Sequence, residues 1–137
     1  MRKTPSFFLA DDDVDDQMLF VEALSEINTS IHCTLAKNGE EALTLLRDYP
    51  APLPDFIFLD LNMPRMSGIK CLAELKKIES LKTVPVIIYS TSSQKEYIDE
   101  SLKLGAQNFF VKPSNFNGLL DYLQGLVSET DPGLRKF

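Results

Sequence analysis

Phe56-Ile57-Phe58-Leu59-Asp60-Leu61-Asn62-Met63-Pro64 decides the fold. Four consecutive apolar residues leave no polar face, so this strand is covered on both sides, as strands of a parallel sheet are. Upstream, Pro50, Pro52 and Pro54 forbid helix. Working outward, further short apolar runs occupy residues 7–10 (FFLA), 33–36 (CTLA), 86–90 (VIIYS) and 108–112 (NFFVK), most of them continuous rather than alternating. Helical stripes separate them. Phe20, Ala23, Leu24 and Ile27 recur at i, i+3, i+4, i+7, as do Ala42, Leu45, Leu46 and Tyr49. Ile69, Leu72 and Leu75 form a third stripe, Ile98 and Leu102 a fourth, and Phe116, Leu119, Leu120 and Leu123 a fifth. Asn38-Gly39 opens the second helix, and Gly105 stands where a C-cap follows the fourth.

Five strand-then-helix units imply right-handed crossovers and a doubly wound α/β sheet. The 137 residues fit one domain, expected to span 1–137 with a core of about 6–128 and a tail at 129–137, where Asp131-Pro132-Gly133 reads as a turn. Hydrophobic residues at 44% suffice for a packed core. A net charge of -6 is a poor match for nucleic acid, which needs clustered Lys and Arg. No apolar run reaches membrane-spanning length, and the N-terminus does not resemble a signal peptide. Cys33 and Cys71 lack metal-site spacing, which argues for reduced thiols in the cytoplasm, each a small buried hydrophobe.

In doubly wound sheets, ligands bind at the carboxyl ends of the strands. Those ends carry Asp11, Asp12 and Asp13; Asp60; Ser90 and Thr91; and Lys112. Asp15 and Asp16 read as solvated acids of a first helical turn, complementing the helix dipole. Asp11 and Asp12 follow a strand directly and end near Asp60. Carboxylates about 4 Å apart repel by roughly 4 kcal/mol at an effective dielectric near 20, so three of them need raised pKa values or a cation. Hard oxygen ligands at an open site suit Mg2+, or Mn2+ in its place. A strand-exit Asp such as Asp60 can equally be a cap. Lys112 shifts the balance, since an ammonium after Phe109-Phe110-Val111 needs a partner. A cis peptide before Pro113 would aim it inward. Ser90 offers a hydroxyl, although an ordinary strand-end Ser fits the pattern as well.

Together, residues 7–13 (FFLADDD), 60–68 (DLNMPRMSG), Ser90, Gly105-Ala106 and Lys112-Pro113 resemble the receiver domain of bacterial response regulators over residues 6–128, of the stand-alone, chemotaxis-regulator-like type. The resemblance implies a flavodoxin-like five-stranded sheet of order 2-1-3-4-5. It implies that Asp60 is the phosphoacceptor, and that Asp11, Asp12, Asp60 and the backbone carbonyl of Asn62 hold the metal. Ser90 and Phe109 become the switch pair, and Lys112 contacts the phosphoryl group. Thr91 departs from the small Ala usual in the family and is expected to narrow access. Asn62 and Ser92 fall where the family tunes hydrolysis.

The expected function is therefore a single-domain response regulator. A sensor histidine kinase or histidine phosphotransfer protein supplies the phosphoryl group, and a downstream protein, or a phosphorylation-dependent dimer, receives the signal. His32, placed just before an inner strand, is read as structural. The chain is not an enzyme beyond its own phosphorylation and dephosphorylation. A phosphorelay intermediate is the alternative within the family. A metal-dependent phosphohydrolase needs an acid two residues after the nucleophile, where this chain has Asn62. A flavin module needs a phosphate-cradling loop where this chain has five aspartates. A receiver-like fold with a dead site conflicts with the intact Asp12, Asp60, Ser90 and Lys112.

Overall fold

The computed structural model describes residues 4–130. In chain order the elements are β1 (Ser6–Ala10), α1 (Val14–Ile27), β2 (His32–Ala36), α2 (Gly39–Arg47), β3 (Phe56–Asp60), α3 (Gly68–Leu75), a 3-10 turn (Glu79–Leu81), β4 (Val86–Ser90), α4 (Lys95–Lys103), β5 (Asn108–Val111) and α5 (Phe116–Thr130). The strands form one parallel sheet of order β2-β1-β3-β4-β5, as the resemblance implies. Helix α5 continues to Thr130, beyond the expected core, and the expected tail and turn after it lie outside the described residues.

Side chains of successive strand residues alternate between two cores. Phe8, Ala10, Ile57, Leu59, Val86 and Ile88 pack with α2 and α3 on one face. Phe7, Leu9, Phe56, Phe58, Ile87 and Tyr89 pack with α1 and α5 on the other. The continuous apolar sequence of β1, β3 and β4 follows from this double coverage. Strands β2 and β5 lie at the edges and are only partly covered. His32 accordingly begins an exposed edge strand rather than preceding an inner one, with Nε2 3.2 Å from the Thr34 hydroxyl.

Helix starts follow from local chemistry. The side chains of Asp13, Asn38 and Ser67 accept from the N–H groups of Asp16, Glu41 and Lys70 at 3.1, 2.8 and 3.2 Å, caps worth about 1 kcal/mol each. Helix α4 closes at Gly105, whose φ of +108° suits glycine. The expected α4 stripe is displaced. Leu102 is 47% exposed, and the buried residue is Ser101, whose hydroxyl donates to the Tyr97 carbonyl at 2.7 Å. Packed beside edge strand β5, α4 has little core to meet. In α2, Leu45 likewise faces out and Leu43 faces in. Among the described residues, no helix is long and apolar enough to cross a membrane.

Phe58 sits at the centre of the α1/α5 face, its ring 4.9 Å from Phe20, 5.9 Å from Tyr89 and 6.2 Å from Phe7. Phe58→Ala is expected to lower unfolding free energy by about 3–5 kcal/mol, as other deletions of buried aromatics do. Urea denaturation measures this, and a loss below about 1 kcal/mol would contradict the packing described.

Candidate functional site

Parallel strands end on one rim, and the sequence places an acid or a hydroxyl at three of those ends. Asp60 is the last residue of β3 and Ser90 the last of β4, while Asp11 follows β1 and Lys112 follows β5. The Asp11 N–H donates to the Ala36 carbonyl at 3.0 Å, and the Lys112 N–H to the Ser90 carbonyl at 2.7 Å, so the ladder extends through both.

The structure brings together the three carboxylates singled out from sequence. One ligand oxygen from each of Asp11, Asp12 and Asp60 lies within 4.8 Å of the others. Asp11 is fully buried, Asp60 is 7% exposed and Asp12 faces solvent. Asp11 and Asp60 are held in the same manner. One oxygen accepts from a backbone N–H two residues on, Asp13 at 2.9 Å and Asn62 at 3.2 Å. The other accepts from the Lys112 ammonium, at 3.0 Å for Asp11 and 3.3 Å for Asp60. The Gln17 amide donates to the Asp11 carbonyl at 2.6 Å.

Lys112 thus reaches the cleft as expected, but not through a cis peptide: the bond before Pro113 is trans, and the cis bond among the described residues is Ala51–Pro52. Register and the length of the Lys side chain suffice, because Lys112 stands one residue past Val111, the partner of Ser90. Ser90 is buried, and its hydroxyl accepts from the Ser92 N–H at 3.0 Å. Phe109 is half-buried beside the α2/α3 core, in register with Ile88. Thr91 is exposed on the rim, and so is Asn62.

Three contributors were not legible as site residues. Asp16, read as a solvated acid, accepts from the Lys112 ammonium at 2.7 Å. Tyr89, read as part of an apolar run, lays its ring 4.9 Å from the same nitrogen, a cation–π contact. Gly68 begins α3 where a Cβ would come 2.2 Å from the Asp60 carbonyl oxygen. The glycine in the quoted 60–68 stretch is a signal for the third, and the α1 stripe is one for the first: Asp16 lies four residues before Phe20, on the core-facing side, whereas Asp15 falls off it.

The electrostatics are unbalanced. Asp11, Asp16 and Asp60 share one ammonium, and Asp12 lies beside Asp11 and Asp60. Burial pushes the Asp11 carboxyl up to about 7, against the opposing pull of the Asp13 N–H and Lys112. Burial alone would lower the Lys112 ammonium, but hydrogen bonds to Asp16 and Asp11 outweigh it and hold the group above its ordinary value. A divalent cation would offset the excess negative charge, and the all-oxygen donors of Asp11, Asp12 and Asp60 fit one.

Comparison with known proteins places the fold among characterised relatives. A family model described as the response regulator receiver domain matches residues 7–124. The response regulator Rcp1 of Synechocystis sp. is 30% identical over 124 residues, covering 88% of this chain and 84% of that protein. The crystal structure of a phosphorylated cyanobacterial phytochrome response regulator, RcpA, superposes with a TM-score of 0.84 at 32% identity, covering 93% of this chain and 94% of that one. The Mn2+-bound form of Rcp1 superposes with a TM-score of 0.79 at 28% identity, covering 90% and 92%.

Two outcomes are expected. Gly68→Ala drives a methyl group into the Asp60 carbonyl, so it should displace the loop and lower stability by about 1–3 kcal/mol, measured by urea denaturation. A divalent cation held by the Asp11 carboxylate would compete with a proton, which burial favours there by pushing the group up to about 7. Affinity for Mn2+ should therefore rise with pH, by up to about tenfold per unit below that value. Calorimetric titration at acidic and alkaline pH reads this, and equal affinities would refute it.

Proposed function

This chain belongs to the response regulator receiver domain family, and from that premise we propose that it is a phosphorylation switch whose acceptor is Asp60. One observation carries the reading: the Asp60 carboxylate, 7% exposed, shares the ammonium of Lys112 with Asp11 at the rim of the sheet. A carboxylate in that setting is costly unless it is paired or used.

The donor is a phosphohistidine of a sensor kinase or a histidine phosphotransfer protein. An Asp60 oxygen attacks phosphorus in line. The P–O bond forms as the P–N bond breaks, and the imidazole leaves with the electron pair and takes a proton. The Asn62 N–H, on the other carboxylate oxygen, orients the nucleophile. Lys112 offsets charge on an equatorial oxygen. Bound Mg2+, or Mn2+ in its place, held by Asp11, Asp12, Asp60 and the Asn62 carbonyl, supplies the remaining positive charge. The chain catalyses only its own phosphorylation and dephosphorylation.

The output is a population shift. The hydroxyl of Ser90 accepts from Ser92, which leaves its proton free to donate to a phosphoryl oxygen. As Ser90 moves toward that group, Phe109 packs inward, and β5 with its flanking helices changes what it offers to a downstream protein or to a second copy. Phe109 lacks the hydroxyl of a Tyr, so packing alone drives this step. The net charge of -6 supports a protein partner over nucleic acid. Free thiols at Cys33 and Cys71, both pushed up to about 12 by burial, suit a reducing cytoplasm.

Incubation with acetyl phosphate and Mg2+ should add one phosphoryl group by intact mass. The gain should vanish in Asp60→Asn and on chelation; persistence in that variant would overturn the assignment. Phe109→Tyr should change partner affinity or the activated population, measured by calorimetry or NMR. An unchanged value would leave Phe109 as a core aromatic only.

A further inference from the structure

Lys112 directs its ammonium to three carboxylates: Asp16 at 2.7 Å, Asp11 at 3.0 Å and Asp60 at 3.3 Å. The two longer contacts go to residues that also belong to the cluster able to hold a cation. The shortest goes to Asp16, which comes from α1 and lies outside that cluster. A dication arriving at Asp11 and Asp60 competes with the ammonium for their oxygens and repels it. Of the three carboxylates, only Asp16 then remains uncommitted. The Lys112 side chain is 10% exposed and that of Asp16 31% exposed, so the pair is sheltered enough for its geometry to matter.

We propose that Asp16 is a positioning residue: it retains the Lys112 ammonium beside Asp60 when a divalent cation occupies Asp11 and Asp60, so that Lys112 is within reach of the incoming phosphoryl group. The proposal rests on the phosphoacceptor reading of Asp60 for its consequence, but not for the anchor itself. Tyr89 forms the other wall, its ring facing the ammonium at 4.9 Å. A ring face alone cannot hold the charge against a neighbouring dication, because a cation–π contact is weaker and less directional than a charge-assisted hydrogen bond. Asp15 provides the comparison. It carries the same charge in the same first turn of α1, is exposed, and is not among the partners of Lys112. Any effect through the helix dipole or the overall field is common to both acids.

The test compares Asp16→Asn with Asp15→Asn, each alone and in a Lys112→Ala background. With Mg2+ bound, the Lys112 side-chain ammonium signal in NMR should be protected from exchange in the wild type and in Asp15→Asn and lost in Asp16→Asn, whereas in cation-free protein Asp11 and Asp60 should keep it protected in all three. With Mg2+ and acetyl phosphate, Asp16→Asn should slow phosphorylation about tenfold, the weight of one hydrogen bond to a charged group. Asp15→Asn should stay within about twofold, as an exposed charge does. In the Lys112→Ala background the Asp16→Asn effect should disappear. Equal effects of the two substitutions, a faster Asp16→Asn variant, or the same factor without Lys112 would each overturn the proposal. Absence of phosphorylation in the wild type would instead defeat the Asp60 assignment, while the ammonium signal would still decide the anchor.

Discussion

Charge balance around Lys112 is the constraint on which the rest depends. One ammonium lies within 3.3 Å of carboxylate oxygens from Asp11, Asp16 and Asp60, with Asp12 close by. Such a group of acids is tolerable because a cation is aimed at it from the opposite side of the rim. That requires a parallel sheet, in which β1, β3, β4 and β5 all present their carboxyl ends at one edge. The register makes the meeting close, with Ala10 paired to Leu59, Asp60 to Tyr89 and Ser90 to Val111. A shift of one residue would turn these side chains to the opposite faces of the sheet.

The surrounding packing connects this point to both faces of the sheet. On one side, Gly68 allows α3 to begin against the Asp60 carbonyl, tying Asp60 to the α2/α3 face. On the other, the Tyr89 ring beneath the ammonium stacks on Phe110 at 5.6 Å, and Phe110 stacks on Tyr122 of α5 at 3.7 Å. The Tyr122 hydroxyl accepts from the Asn108 amide at 2.9 Å. Movement of Lys112 therefore meets a continuous aromatic column leading to α5, alongside the Ser90 and Phe109 pair. Close-packed rings resist gradual deformation, which favours discrete alternatives over gradual change.

The departures from expectation share a cause. Pattern alone assigns His32, Leu45 and Leu102 to positions that strand order and neighbouring elements alter. A period of apolar residues identifies a helix but does not show how much sheet lies beneath it. Helix α4, beside an edge strand, buries Ser101 in place of Leu102. The trans peptide at Pro113 has the same lesson, since the reach of Lys112 was decided by register and not by a local turn.

The sequence by itself determined the class of fold and the composition of the cleft. Continuous apolar strands, spaced helical stripes and proline or glycine breaks are local signals that need no neighbours to interpret. The rule that ligands gather at strand ends then singles out Asp11, Asp12, Asp13, Asp60, Ser90, Thr91 and Lys112, of which Asp13 caps α1 and Thr91 is exposed on the rim. Only the tertiary structure decided which acids share the ammonium. Asp15 and Asp16 carry the same charge one position apart in the same helical turn, and only Asp16 continues the stripe of Phe20, Ala23 and Leu24. The rotation of about 100° between adjacent helix residues sends one to solvent and the other to Lys112. That rotation is set by the Phe20, Ala23 and Leu24 stripe packing against the sheet, but that Lys112 from the far end of the chain meets Asp16 there is a contact no local pattern encodes.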